Sequence, residues 1–188
     1  HLLTLIVDIL DLSRIEAGKV ELFLGPVELA ARVRSAVDIV GLMAAEKGIE
    51  LRLDLAGDLP SHIQADEKRL SQVLINLLGN AVKFTHFGGV TLAVRSMPRP
   101  DGAAGQVLLR FDVRDTGVGI AEDQIEQLFE PFEQAGDAKQ RLGGTGLGLT
   151  ISRQLVRLMG GEITVESRLG VGSVFWFEIE VPVLPPAD

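Results

Sequence analysis

The stretch LGGTGLGLTIS, residues 142–152, places four glycines within seven residues and then passes directly into a helical pattern. Glycine inside a regular element costs about 0.5–1 kcal/mol relative to alanine, because its backbone loses more freedom on folding. A tight turn with a helix cap needs only one or two glycines. Four of them at a helix start predict that a ligand approaches the backbone itself, and the N–H groups there favour an anion.

This glycine run differs from the two common phosphate-binding motifs. The polar loop QAGDAKQRL precedes it where the dinucleotide-binding fingerprint requires a strand. No Lys-Ser/Thr pair follows the last glycine, as a P-loop requires. Lys139 and Arg141 in the preceding loop are candidates to close over phosphates; the alternative is an ordinary solvated loop.

The rest of the chain mixes helical and strand periodicity. Helices are predicted at about 29–47, closed by Gly48, from an Asp66 N-cap to about 81, and at about 122–128 and 147–159. Alternating patterns predict strands at IELRLDL, HIQA, 90–96, 107–115, GEITVES and SVFWFEIEV. Because hairpins connect several of these strands, the order predicts one sheet covered on one face by helices.

The first residues, HLLTLIVDILDLSRIEAGK, predict a helix with a broad apolar face that ends near Gly18. Leu2, Leu5, Ile9 and Leu12 form its centre. We expect this face to need a partner helix, in another chain or upstream, and to support weak self-association; the alternative is the first helix of the main domain. The chain starts in mid-helix without Met, so we interpret it as a fragment. The run LLTLIV is far shorter than the ~20 residues of a membrane span, and no signal peptide is visible.

Composition excludes several classes of function. The 188 residues carry a net charge of -8 and contain no cysteine, and the pI is about 4.9. A broad nucleic-acid-binding face is therefore not expected. The absence of cysteine excludes disulfides, thiolate zinc sites and thiol catalysis.

The segment NLLGNAVKFT, residues 76–85, carries Asn76, Asn80 and Lys83 at spacing i, i+4, i+7, so they share one stripe of a helix. Asparagine favours caps and turns over helix interiors, and two in one stripe need a reason. Either the amides bond neighbouring backbone, or their oxygens face a hard cation while the lysine faces phosphates. Mg²⁺ suits the second alternative, because it keeps several waters and needs few protein oxygens.

The segment DVRDTGVGI places Asp115 at the end of a predicted strand, followed by Gly117 and Gly119. A carboxylate there, with thin backbone behind it, suits an exocyclic amine. Taken alone, a D-T-G sequence favours an ordinary Asx-turn.

Taken together and in order, these segments resemble the ATP-binding catalytic domain of the histidine kinase family over essentially the whole chain. NLLGNAVKFT is similar to its Asn box, DTGVGI to its first glycine box, and FEPF (129–132) to its Phe box. GGTGLGL is similar to the second glycine box and GVGS (170–173) to the last. DILDLSRIEAGK is similar to the end of the second helix of the dimerisation and phosphoacceptor domain.

The resemblance implies an α/β fold of the Bergerat type, a two-layer sandwich of a mixed, mainly antiparallel sheet with helices on one face, binding ATP and Mg²⁺. Residues 1–24 would belong to the dimerisation hairpin and its linker, and residues 25–188 to the catalytic domain. It implies catalytic roles for Asn76 and Lys83, a magnesium site at Asn80, and a bond from Asp115 to the adenine amine. A lid at about 133–142 would be anchored by Phe129 and Phe132. The full set of implied ATP contacts is Asn80, Asp115, Gly117, Gly119, Ile120, Phe129, Phe132, Arg141, Gly144, Thr145, Gly146, Leu147, Gly148 and Ser173.

Three functions remain open on the sequence: a histidine kinase module, a hydrolytic ATPase of the same fold, and a degenerate binding module. The hydrolytic relatives carry Glu where Asn76 stands, and an amide is not a general base. None of His1, His62 and His86 lies in the family's His-Glu-x-x-x-x-Pro acceptor motif, so we expect no autophosphorylation of this fragment. The implied partners are a phosphoacceptor domain of its own or of a partner subunit, a receiver domain of a response regulator, and a second subunit through the hairpin. A cytoplasmic location is expected, with a parent protein that is either free or membrane-anchored.

Overall fold

A computed structural model of the chain describes residues 2–133 and 145–186. The helices are α1 (Leu2–Glu16), α2 (Leu29–Lys47), α3 (Glu67–Phe84), α4 (Glu122–Ile125) and α5 (Gly148–Leu158), and a 3-10 helix (Glu126–Phe129) follows α4. The strands are β1 (Gly25–Glu28), β2 (Glu50–Leu55), β3 (His62–Ala65), β4 (Gly89–Met97), β5 (Gln106–Asp115), β6 (Ile163–Arg168) and β7 (Gly172–Leu184).

These strands form one sheet in the order β1-β3-β7-β5-β4-β2, with β6 paired to β7 beside β3. Among the described residues β2 and β4 form the one parallel pair, and the other pairs are antiparallel. Helices α2, α3 and α5 pack together on one face of the sheet. The predicted two-layer α/β sandwich with a mixed, mainly antiparallel sheet is confirmed.

The centre of the core lies where β5 and β7 meet the helices. Phe111 and Phe177 are fully buried and stack with ring centroids 4.9 Å apart. Because side chains alternate along a strand, Asp112 points to the other face. There its carboxylate binds the guanidinium groups of Arg95 (3.1 Å) and Arg110 (2.9 Å).

Most element boundaries follow local signals that the sequence displays. Helix α2 ends at Gly48, whose φ of +69° is the left-handed conformation that glycine adopts readily. Asp66 caps α3, because its Oδ1 accepts the N–H of Arg69 at 3.0 Å. Strand β1 is the exception: GPVEL carries no strand alternation of its own, and it becomes a strand through its pairing with β3.

A lysine on α2 fixes the end of α3 that carries the asparagine stripe. Lys47 Nζ donates to the carbonyl oxygens of Val82 (2.7 Å) and Lys83 (2.9 Å) in the last turn of α3, where carbonyl groups lack the usual N–H partner four residues on. This contact ties the C-terminal end of α3 to α2.

Helix α1 uses only part of its apolar surface within this chain. It packs against α5 through Leu12, which is 8% exposed, with Leu5 partly buried beside it. The predicted self-association face is therefore wrong at Leu5 and Leu12. The face that points away from α5 carries Leu3 (74% exposed), Ile6 (46%) and Leu10 (52%). Within the described ranges, no helix is both long and apolar enough to span a membrane.

Candidate functional site

A cavity of about 740 Å³ opens between α3, α5, the loop after β5 and the first turns of α1. Predicted site residues that line it are Asn76, Asn80, Lys83, Asp115, Gly119, Ile120, Phe132, Thr145, Gly146, Gly148 and Ser173. The structure thus brings together residues that are up to 97 positions apart in the chain, counted from Asn76 to Ser173.

One part of the cavity wall is built around a buried carboxylate. Asp115 is the last residue of β5 and is 7% exposed. The Gly117 N–H donates to its Oδ1 at 2.9 Å, which is the bond of an Asx-turn. Burial raises the pKa of Asp115, and the backbone N–H groups of Gly117 and Ser173 counteract this in part. Asp115 therefore both makes the Asx-turn and lines the cavity.

The two glycines after Asp115 are required by close packing of the loop. A Cβ on Gly117 would lie 2.4 Å from the carbonyl oxygen of Phe84, at the end of α3. Gly119 has a φ of +70°, and its Cβ would lie 2.1 Å from the carbonyl oxygen of Arg168. These glycines let the loop lie directly against α3 and β6. Close packing therefore accounts for both glycines even without a ligand.

Another part of the cavity wall is formed by the asparagine and lysine side chains of α3. Asn76 Nδ2 donates to the Ser152 Oγ at 3.2 Å and to the Gly148 carbonyl oxygen at 3.4 Å, both on α5. Burial lowers the pKa of Lys83, whose Nζ lies 5.1 Å from the centre of the Phe84 ring. Amide groups, an ammonium group and the first turn of α5 thus line this part of the cavity, which we call the α3 end.

The segment that leads into α5 is held by three contacts. Thr145 Oγ1 donates to the Asp8 carboxylate of α1 at 2.7 Å and accepts the N–H of Leu147 at 3.3 Å. The Phe132 N–H donates to the carbonyl oxygen of Gly146 at 3.0 Å. Phe132 itself has a φ of +63°, which is uncommon for a residue with a side chain.

Three predicted site residues do not line the cavity, and two lie outside the described residues. Gly117 faces α3, as noted above. The Leu147 side chain is fully buried in the core. Phe129 packs against the core, its carbonyl oxygen accepting the Thr150 hydroxyl at 2.8 Å and its ring facing the Arg153 guanidinium at 5.2 Å. Arg141, Gly144 and all of the predicted lid except Glu133 lie outside the described residues, as do Lys139 and His1.

Sequence reasoning missed the contribution of α1 and a serine that closes the loop after β5. Leu2, Thr4, Leu5 and Asp8 all line the cavity. No local pattern in α1 indicates this, because it depends on how the helix docks on α5. Ser167 Oγ accepts the Ile120 N–H at 2.8 Å and lies 2.7 Å from the Ser173 Oγ, and its position opposite Ser173 in the β6–β7 pair was the available signal.

The ligand atoms available at the α3 end decide which cation would fit there. In the described ranges no group of three His, Asp or Glu side chains is placed to hold a metal ion. A cation at this end would therefore depend on the amide oxygens of Asn80 and Asn76. Mg²⁺ accepts such a site, since it retains waters and takes one or two protein oxygens together with phosphate oxygens.

Comparison with known proteins agrees with this geometry. The chain belongs to the family of histidine kinase-, DNA gyrase B- and HSP90-like ATPases, whose sequence model matches residues 65–183. Among individual relatives, it is 45% identical to the virulence sensor protein BvgS of Bordetella bronchiseptica, over 97% of this chain and 15% of that protein. It is 39% identical to the signal transduction histidine-protein kinase BarA of Escherichia coli K12, over 98% of this chain and 20% of that protein.

A solved structure extends the comparison to three dimensions. Full-length ShkA in complex with AMPPNP superposes with a TM-score of 0.85 at 41% identity, covering 99% of this chain and 37% of that one. The chain corresponds to the ATP-binding catalytic domain of sensor histidine kinases. It spans a fifth or less of the length of BvgS and BarA.

Proposed function

We propose that this chain binds ATP together with Mg²⁺ and presents the γ-phosphoryl group to a histidine on a dimerisation and phosphoacceptor domain. The observation that carries the proposal is that one cavity is lined by an adenine-type acceptor and by phosphate- and cation-type groups. Asp115 lines it together with Asn76, Asn80 and Lys83 of α3 and with Gly148 at the start of α5.

The lining suits the two parts of ATP. The exocyclic amine of adenine is a donor, and the Asp115 carboxylate is an acceptor in a wall that also contains Val118 and Ile120, which we assign as the adenine end. The triphosphate is an anion, which favours the Lys83 ammonium group and the N–H groups at the start of α5. Mg²⁺, held by Asn80 with Asn76 beside it, would neutralise charge on the phosphate oxygens.

The proposed role of the remaining predicted residues follows from their places around this ligand. The walls would be completed by Gly119, Ile120, Thr145, Gly146, Gly148 and Ser173. Gly117 and Leu147 would act through the shape of the backbone. Phe129 and Phe132 would anchor a lid, with Arg141 and Gly144 contributing from the segment outside the described residues.

Transfer is favoured over hydrolysis by the chemistry of Asn76. An amide cannot take a proton from water, and both bonds that Asn76 makes with described residues run from its Nδ2 to α5. The carboxylates in the cavity wall are Asp8, Asp115 and Glu133, of which Asp8 accepts the Thr145 hydroxyl and Asp115 accepts the Gly117 N–H. Phosphoryl transfer asks mainly for positioning and charge stabilisation, which such a site supplies.

The partners follow from the same proposal. In the whole protein, α1 would be the second helix of a dimerisation hairpin, and its exposed residues Leu3, Ile6 and Leu10 would contact the helices of that hairpin in its own or a partner subunit. The phosphorylated histidine would then pass its phosphoryl group to a receiver domain. Because ATP is the phosphoryl donor, we place this domain on the cytoplasmic side, whether or not the parent protein is anchored in a membrane.

Calorimetric titration of the chain with ATP, in excess Mg²⁺ and in EDTA, tests binding directly. We expect saturable binding that Mg²⁺ strengthens. Inorganic phosphate release is then followed, and a separately produced histidine-bearing dimerisation hairpin is offered in trans. Transfer to the hairpin without phosphate release supports the kinase function. Steady phosphate release without transfer indicates a hydrolytic ATPase, and a folded chain that binds no ATP contradicts the proposal.

A further inference from the structure

The hydroxyl of Ser152 on α5 is a buried polar group that the proposed function does not use. Ser152 is fully buried, in a helix whose other buried residues are Ile151, Leu155, Val156 and Thr150, which donates its hydroxyl to the Phe129 carbonyl oxygen. A buried hydroxyl is costly unless it is hydrogen-bonded. Its partner is the Asn76 side chain, whose Nδ2 lies 3.2 Å from the Ser152 Oγ.

The neighbouring carbonyl decides which way round the Asn76 amide lies. The Gly148 carbonyl oxygen only accepts, and it lies 3.4 Å from Nδ2. A flipped amide would place two acceptor oxygens face to face, so the NH₂ group must point to α5. The Ser152 hydroxyl, which either donates or accepts, then accepts the second N–H. The bond to Gly148 is long, so the bond to Ser152 is the stronger of the two.

This orientation determines what Asn76 shows to the cavity. With Nδ2 turned to α5, the Oδ1 of Asn76 is the polar atom that this side chain has left to offer to the cavity, which Asn80 and Lys83 also line. An oxygen there suits a cation or its waters, whereas an NH₂ group would repel them.

We infer that Ser152 is a positioning residue that holds the Asn76 amide with its oxygen toward the cation end of the cavity. Gly148 contributes a carbonyl to the same task, and a methyl group there would meet nothing nearer than Asn76 Cγ at 3.9 Å. The inference rests on the proposed function, because it assigns Asn76 Oδ1 to the magnesium-bearing end of ATP.

The test compares the gain in ATP affinity that Mg²⁺ confers in the wild type and in Ser152→Ala. The dissociation constant is measured by calorimetry in EDTA and in excess Mg²⁺, and the ratio of the two values is the readout. Loss of one neutral hydrogen bond predicts that the ratio falls about three- to tenfold in Ser152→Ala. Affinity in EDTA should stay within about twofold, since the adenine end is untouched. General destabilisation of the fold would not change the ratio selectively.

Ser71→Ala is the matched control. Ser71 lies on α3 at the opposite side from the cavity wall, and its Oγ is buried without a hydrogen-bond partner among the described residues. This variant should keep the wild-type ratio. Ser152→Cys is a second variant that fills the site with a weaker acceptor, and it should lower the ratio in the same direction if the alanine variant does not fold.

The side-chain NH₂ signals of Asn76 give a second readout that needs no nucleotide. They are assigned by their loss in Asn76→Ala, and they should shift and exchange faster in Ser152→Ala but not in Ser71→Ala. If Mg²⁺ strengthens ATP binding equally in the wild type and in Ser152→Ala, and the Asn76 amide signals are also unchanged, the inference about Ser152 is overturned while the proposed function stands. A wild-type ratio of one overturns the magnesium part of the proposed function and this inference with it.

Discussion

Replacement of Asp115 by asparagine tests the adenine end of the cavity most sharply. The Gly117 N–H donates to the Asp115 Oδ1 at 2.9 Å, and the same bond would hold the amide oxygen of asparagine in that place. The NH₂ group then takes the place of Oδ2 and meets the exocyclic amine of adenine, donor against donor. A hydrogen bond to an ionised group contributes about 1.5–3 kcal/mol. We therefore expect ATP to bind about 10- to 150-fold more weakly to Asp115→Asn.

Calorimetric titration measures this loss of affinity, and a parallel titration with inosine triphosphate tests whether the loss comes from the contact with the exocyclic amine. That nucleotide carries a carbonyl where ATP carries the amine, so the wild type should prefer ATP and the variant should lose or reverse the preference. Asp54→Asn, the same change at an exposed position on β2, is the matched control and should bind ATP as the wild type does. The reasoning is refuted if Asp115→Asn binds ATP within about twofold of the wild type, because a change that small is ordinary for a residue outside the site.

The same variant carries a signature in the pH dependence of stability. Burial raises the folded-state pKa of Asp115 above its ordinary value of 3.8. Its contribution to stability is therefore fully present below that value and is lost as the pH rises through the raised folded-state pKa. Without nucleotide, Asp115→Asn should melt at a higher temperature than the wild type at pH 7. The difference should narrow as the pH is lowered toward the ordinary pKa, and a variant that is less stable at pH 7 would contradict the assigned cause.

Three further outcomes are expected. Gly119→Ala places a Cβ on a residue with a φ of +70°, 2.1 Å from the Arg168 carbonyl oxygen. The strained φ alone costs about 1–2 kcal/mol of stability and should lower the melting temperature by about 2–8 °C. Gly148→Ala, where a Cβ has room, is the control and should melt close to the wild type. Leu12→Ala should lower the free energy of unfolding, measured with denaturant, by about 2 kcal/mol or more, because that side chain is packed on α5. Leu10→Ala should change it by less than about 0.5 kcal/mol and should reduce any self-association seen in sedimentation. Equal losses of stability in the two variants would show that α1 does not dock as described. Incubation with labelled ATP and Mg²⁺ should leave the chain without phosphohistidine, and a stable label on it would contradict the proposed division of labour with a separate acceptor helix.

The fold was predictable wherever a local signal decides the structure. The Asp66 cap, the left-handed Gly48 and the alternation in β5 and β7 each correspond to an interaction that the structure contains. Strand β1 was not predictable in this way, since its residues form a strand only because β3 offers an edge.

The residues of the candidate site likewise divide into those that a local pattern indicates and those that depend on how the elements pack. Asn76, Asn80, Lys83 and Asp115 were chosen from spacing and residue type, and all four line one cavity. Asp8 and its neighbours on α1 were missed because their place depends on how one helix docks against another, which no local pattern specifies. The roles assigned to the glycines stay predictions, and for Gly117 the structure gives a different reason, because a Cβ there would lie 2.4 Å from the Phe84 carbonyl oxygen.

The docking of α1 has a geometric consequence for delivery of the phosphoryl group. Leu5, Asp8 and Leu12 face the domain, and Leu3, Ile6 and Leu10 point the opposite way. A helix seated on that outward side would be separated from the cavity by the full thickness of α1, about 10 Å. A direct in-line transfer cannot cross such a gap. If ATP fills the cavity and the acceptor helix packs on the outward side, as proposed, the two would stand on opposite sides of α1, and the α/β unit would have to swing around α1 before they could meet.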